Sequence, residues 1–333
     1  YSLVNEQQNE LEIDIHFGFK LIIRGVVMVP LEIFGFRALW SPYFFITILL
    51  FVFLYFLLAS LCKRSYLNAM PPSPVQSVSF CTAMVLLYIV KGSPVDLIGH
   101  ILFSVHMLQM SILFFIVAPL FLRGMPVWIL EKGMQLPVVA PVVRFFTNPV
   151  LAVITFNIIF SLYHIPAVFD QVKVTPFLHS IYTIVLFLLA IAMWWPILSP
   201  LPGQYALSGL KKIAYLFASA MLLTPACALI MFANHPVYRS FSDGTMWLSS
   251  MHLCVPADML SGVARYGSPA LFSPLPVLQD QQLGGVVMKI MQEIVYGIML
   301  ARIFFQWART EQEDGSTEKN PVAGEQRRLM EQH

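Results

Sequence analysis

The sequence predicts an all-α polytopic membrane protein: a bundle of about seven transmembrane helices, with the N-terminus outside and the C-terminus in the cytoplasm. Three observations lead there. Hydrophobic residues fill 58% of the 333 positions and charged residues 11%, a balance that excludes an ordinary soluble domain. Apolar runs near the roughly 20 residues that a bilayer core demands recur along the chain. Basic residues gather in alternate connections, which sets the orientation.

Residues 1–29 form a leader whose polar, acidic first half is unlike the rest of the chain. Arg24 to Val27 match the in-frame translation of a purine-rich ribosome-binding site, so Met28 is the expected initiator and the leader is expected to be non-native or disordered. N-terminal sequencing of the native protein checks this. The membrane domain is expected over 30–308, with spans at 43–61, 75–90, 97–122, 150–163, 178–198, 213–232 and 283–307. Met70 to Pro74 is a proline-rich turn, and Gly92-Ser93-Pro94 punctuates the entry to the central span. Prolines 126, 137, 141 and 149 keep the segment after that span from forming one helix. Trp194 and Trp195 read as interfacial anchors closing the fifth span. The connection 234–278 is too long for a mere linker and is expected to hold a short helix across the outer mouth. Residues 309–333 read as a disordered cytoplasmic tail. With the N-terminus outside, the inner connections collect Lys63, Arg64, Arg123, Lys132, Arg144, Lys211 and Lys212, and the tail adds Arg309, Lys319, Arg327 and Arg328; the outer connections hold Lys91, Lys173, Arg239 and Arg265, plus Arg37 and, in the leader, Lys20 and Arg24.

The net charge of +2 gives no basis for nucleic-acid binding; the lipid bilayer is the expected environment. Cys62, Cys81, Cys227 and Cys254 show no paired spacing, so no disulfide framework is expected. There is no His-Glu-x-x-His, nucleophile elbow, phosphate-cradling glycine loop or pair of carboxylates placed for hydrolysis, and no enzymatic activity is expected.

The chain is organised around residues 91–126. Read as one helix, this stretch puts Asp96 below His100 and His106 below Met110, each pair one turn apart on a shared face. Ionisable groups in lipid are costly unless they meet partners, a cavity or a metal. Asp96 is expected to cap the helix. On the expected topology His100, His106, His164, His179, His235 and His252 all fall at or near the outer face, with Met110, Cys227, Met231, Met251 and Cys254. Imidazole, thioether and thiolate together suit copper, the sulfur donors favouring Cu(I). His106, Met110, His164, His179, His100, His252 and Cys254 are therefore the candidate metal ligands. The competing readings are structural histidines bonded to backbone, methionines that only pack, and imidazoles that hold haem. Lys289 and Glu293, one turn apart in the last span, are expected to form a structural ion pair.

Several stretches resemble the CtaG family of the Bacillus type, the cytochrome c oxidase assembly factors also called Caa-CtaG: IFGFRALWSPYF from Ile33, KGSPVDLIGHILFSVHMLQM from Lys91, LYHIPAVFD from Leu162, LHSIYTIVLFLLAIAMWWPIL from Leu178, and DQQLGGVVMKIMQEIVYG from Asp280. The resemblance covers roughly residues 30–307. It implies a bacterial plasma-membrane protein that helps mature a haem-copper oxidase, with the oxidase catalytic subunit as partner, at the stage when copper enters. Many relatives read His-x-x-x-His where this chain has His106 and Met110, which shifts the expected site from an all-imidazole set toward Cu(I). The two functions left open are a copper carrier and a copper-free scaffold.

Overall fold

A computed structural model describes residues 34–63, 70–198, 201, 206–256, 260, 272–273 and 275–319. The leader, Asp258, Met259, Arg265 and residues 320–333 lie outside the described residues. Among the described residues the structure is helical, with no strand. Six helices are long and apolar enough to cross a membrane, or seven if one bent pair counts as a span.

The first span joins α1 (Gly35–Trp40) and α2 (Pro42–Lys63) across Ser41, whose backbone is left-handed at φ 32°. It is apolar all round and sits at the periphery of the bundle, where lipid replaces protein as its contact. Next comes α3 (Pro74–Gly92), opened by a capping box in which Ser73 and Gln76 satisfy each other's backbone amides. The central region is not one helix. It is divided into α4 (Pro94–Ile101), α5 (Phe103–Ile112), a π-helical turn at Leu113–Val117, and α6 (Ala118–Gly124). From α5 to α6 it is the most buried span, packed by α3 and by the helices Pro176–Leu198 and Val277–Lys319.

The π turn has a local cause. Pro119 has no N–H to offer the carbonyls one turn back, and the freed Phe114 carbonyl instead accepts from Trp194 Nε1 at 2.8 Å. Trp194 and Trp195 are buried inside the protein, 0% and 5% exposed, rather than presenting their rings outward as anchors.

Beyond α6 lie α7 (Val127–Gly133) and α8 (Val139–Phe146), which meets α9 (Pro149–Tyr163) at 79°. Then come α10 (Pro166–Val174), α11 (Pro176–Leu198) and α12 (Gly209–Met231). Among the described residues the long connection carries two short helices, α13 (Arg239–Ser242) and α14 (Gly244–Met251). The last helix, α15 (Val277–Lys319), continues past residue 308, where the tail was expected to begin.

Close helix contact in lipid relies on small residues. A Cβ added at Gly124 would stand 2.6 Å from the Phe80 backbone nitrogen, and the Gly124 carbonyl accepts from Tyr55 Oη at 3.1 Å. Gly124→Ala is expected to force α3 and α6 apart at a cost of about 1–3 kcal/mol. Thermal unfolding in detergent checks this, and an unchanged Tm would contradict it.

Candidate functional site

At Leu102 the backbone is extended, φ −112° and ψ 125°, so α5 starts with free amides in the apolar interior. The carboxylate of Asp280, in the first turn of α15, covers them. Its Oδ2 accepts from the Phe103 amide at 2.6 Å, and its Oδ1 accepts from the Ser104 amide at 3.3 Å and from the Ser104 hydroxyl. Negative charge at a helix N-terminus is also favoured by the helix dipole. Asp170 on α10 does the same for α13, accepting from the Arg239 and Ser240 amides at 3.0 and 2.9 Å. Gln281 and Gln282 stitch the start of the long connection to α15 through Val237 and Ala233.

Because the helix breaks at Leu102, α4 lies against α5 instead of extending it. Gly99 leaves room for the Gln109 side chain, where any Cβ would collide with it. Gln109 Nε2 donates to the Val90 carbonyl at 2.7 Å and to Asp96 Oδ1 at 3.2 Å. Asp96 is thus not the cap that was expected. Ser93 takes that place by accepting from the Val95 amide, while Asp96 forms an ion pair with Lys91.

Four imidazoles gather at this end, all inside the protein and between 2% and 8% exposed: His100, His106, His164 and His179. His100 Nδ1 and His164 Nδ1 each lie 2.8 Å from the carbonyl one turn earlier, of Asp96 and Phe160. A carbonyl can only accept, so each Nδ1 carries the proton, and in the neutral ring Nε2 holds a lone pair. Neither Nε2 has a hydrogen-bond partner, and neither nitrogen of His179 has one. The rings of His100 and His179 stand 5.9 Å apart, centroid to centroid, with planes at 63°. His106 Nε2 lies 3.4 Å from Tyr163 Oη, and Tyr163 stacks edge-on against His164.

Phe103, Phe169, Tyr238 and Phe241 close over this end. Phe103 stacks on Tyr238 at 4.7 Å, and Phe169 meets the His106 ring edge-on at 5.4 Å. Lys173 is fully buried among them; its Nζ has no hydrogen-bond partner and lies 5.2 Å over the Phe241 ring. Burial first, then Lys91, pulls the Lys173 ammonium down to about 7, against Asp96 and Cys254.

The expected ligands do not all meet. Among the described residues no three His, Cys, Asp or Glu side chains converge as a metal site, so His106, His164 and His179 are not one triad. His100 and His179 form the facing pair. Met110 is buried one turn along α5 from His106, and His252 is exposed just past α14. Cys254 is partly buried, and burial with help from Asp96 pushes its thiol up to about 12, against Lys173 and Lys91. Lys289 and Glu293 are paired at 2.7 Å, and Lys289 also donates to Thr224 on α12. Sequence reasoning assigned no role to Asp170, Asp280, Gln109 or Lys173. Gln109 had a signal as a polar residue within an apolar span, and Asp280 as an acid just before an apolar helix, but neither signal names a recipient.

The class so defined is a polytopic helical membrane protein with a buried, imidazole-rich polar cluster at one end of its bundle. Residues 43–310 match the model of the family described as cytochrome c oxidase caa3 assembly factor (Caa3_CtaG), and the chain belongs to that family. This makes it a multi-pass plasma-membrane protein of oxidase assembly. No curated protein and no solved structure matches it.

Lys173 yields a pH test. Its folded value, about 7, lies below the ordinary 10.5, so between those limits the unfolded chain binds more protons and stability rises with pH. The penalty is full below about 7. Lys173→Met is expected to raise Tm most at pH 7 and to flatten the rise toward pH 10. Equal pH slopes for the two proteins would contradict this.

Proposed function

We propose that the chain assists oxidase assembly by carrying Cu(I) at its histidine end and passing it to the catalytic subunit of a haem-copper oxidase. The observation that carries this reading is the His100–His179 pair: buried rings with three nitrogens that bond to nothing in the protein. A buried polar atom without a partner is costly, and a soft cation that accepts imidazole lone pairs would relieve that cost. Two imidazoles, short of a full ligand set, suit a carrier that must release its cargo. Met110 and Cys254 are the candidate third donors, Cys254 only after losing its proton to the incoming metal. Arg123, Lys132 and Arg144 lie toward the opposite end of the bundle, and their bias supports placing the histidine end on the non-cytoplasmic face.

The test is metal analysis of purified protein after anaerobic Cu(I) loading. The wild type is expected to retain copper, His100→Ala and His179→Ala to lose most of it, and His235→Ala, in an exposed position, to keep it. In cells the two site variants are expected to leave the oxidase catalytic subunit inserted but copper-deficient. A wild type that holds no copper would leave the copper-free scaffold reading in its place, and retention by both variants would remove this pair as the site.

A further inference from the structure

Away from the histidine end, two neighbouring cavities share the walls formed by Arg123, Leu198 and Arg302. One is an apolar groove of about 360 Å3 between the π turn with α6, the end of α11 and the stretch of α15 from Met291 to Arg302. The other is a more polar pocket of about 400 Å3 reaching Ser73 and Gln76 in the first turn of α3. Neither lining contains an acidic residue. Arg123 and Arg302 are exposed, and neither has an ion-pair or hydrogen-bond partner among the described residues.

We propose that this groove and pocket together hold one anionic diacyl phospholipid, its phosphate between Arg123 and Arg302 and its acyl chains along the groove. The length agrees, and the groove, open along its side, seats part of the acyl chains while the rest lies in the surrounding lipid. From Met291 to Arg302 the helical rise is about 16 Å, close to half of a hydrocarbon core of about 30 Å. The apolar floor therefore has the depth of one leaflet, and the arginines lie at the level of that leaflet's headgroups. Charge selects the occupant: two guanidiniums in linings that hold no acid, the nearest lining carboxylate being Glu131 in the adjoining pocket, suit a phosphate, which Arg can grip bidentately. The N-terminus of α3 adds a favourable dipole beside the pocket. An apolar transmembrane segment of a partner could fill the groove but would leave both guanidiniums unmatched. The assignment is independent of copper handling.

The experiment is native mass spectrometry of the whole protein in detergent, titrated with equimolar phosphatidylglycerol and phosphatidylcholine of identical chains. The wild type is expected to keep one phosphatidylglycerol with about tenfold preference. The doubly substituted Arg123→Gln/Arg302→Gln protein should lose that preference while its helical circular dichroism and copper retention stay unchanged. Arg144→Gln, away from the groove, should keep it. If Arg123→Gln/Arg302→Gln fails to fold, each single substitution is expected to lower the preference partway. Equal retention of the two lipids by the wild type, undiminished preference in the variants, or displacement of the lipid by a co-purifying apolar peptide would each overturn the proposal.

Discussion

The carboxylate of Asp280 on the amides of Phe103 and Ser104 is the contact on which the polar end of the bundle depends. On an unbroken helix His100 and His106 would project about 120° apart, six residues at 100° each. The extended residue at Leu102 removes that constraint and lays α4 against α5, where His100 can face His179 from α11. Such a break leaves backbone donors in an apolar interior, which costs free energy unless an acceptor arrives. Asp280 supplies two carboxylate oxygens from a helix 177 residues away in sequence. The cluster is thus a product of tertiary structure, with each helix bringing one part.

Asp170 repeats the device on a smaller scale. By capping α13 it fixes Tyr238 and Phe241, and these rings stack over His106 and Lys173 with Phe103 and Phe169. Tyr238 in turn donates to the His164 carbonyl at 2.8 Å. The aromatic cover packs over the imidazoles and leaves the Lys173 Nζ buried without a hydrogen-bond partner. Arg123 and Arg302 lie elsewhere in the bundle, where an apolar groove meets positive charge, so the two ends differ in the chemistry they offer.

The spans were legible because each is nearly continuous apolar sequence, and hydropathy alone locates such segments. The one-sided set of histidines was legible as well, since depth follows from position along a span. The break at Leu102 was not: Ile101-Leu102-Phe103 contains neither glycine nor proline, and its cause sits on another helix. Asp96 misled for a related reason. It stands where a cap would stand, but Ser93 is one step better placed, and Lys91 and Gln109 claim the carboxylate. Trp194 looked like an interfacial ring because it ends an apolar run; the donor it supplies to Phe114 answers a proline on a different helix. Lys173 read as a loop cation because charge rarely enters a core, and only the packing of α10 under the aromatic cover buries it.

Amide hydrogen exchange at residues 103 and 104, compared between the wild type and Asp280→Ala, tests the dependence of this end on its remote cap most directly. Both amides should be protected in the wild type and exchange markedly faster in Asp280→Ala, while α12 and the middle of α15 remain protected. Unchanged protection at Phe103 and Ser104 after removal of the carboxylate would contradict the assignment of Asp280 as the group that holds the break, and with it the origin of the histidine cluster.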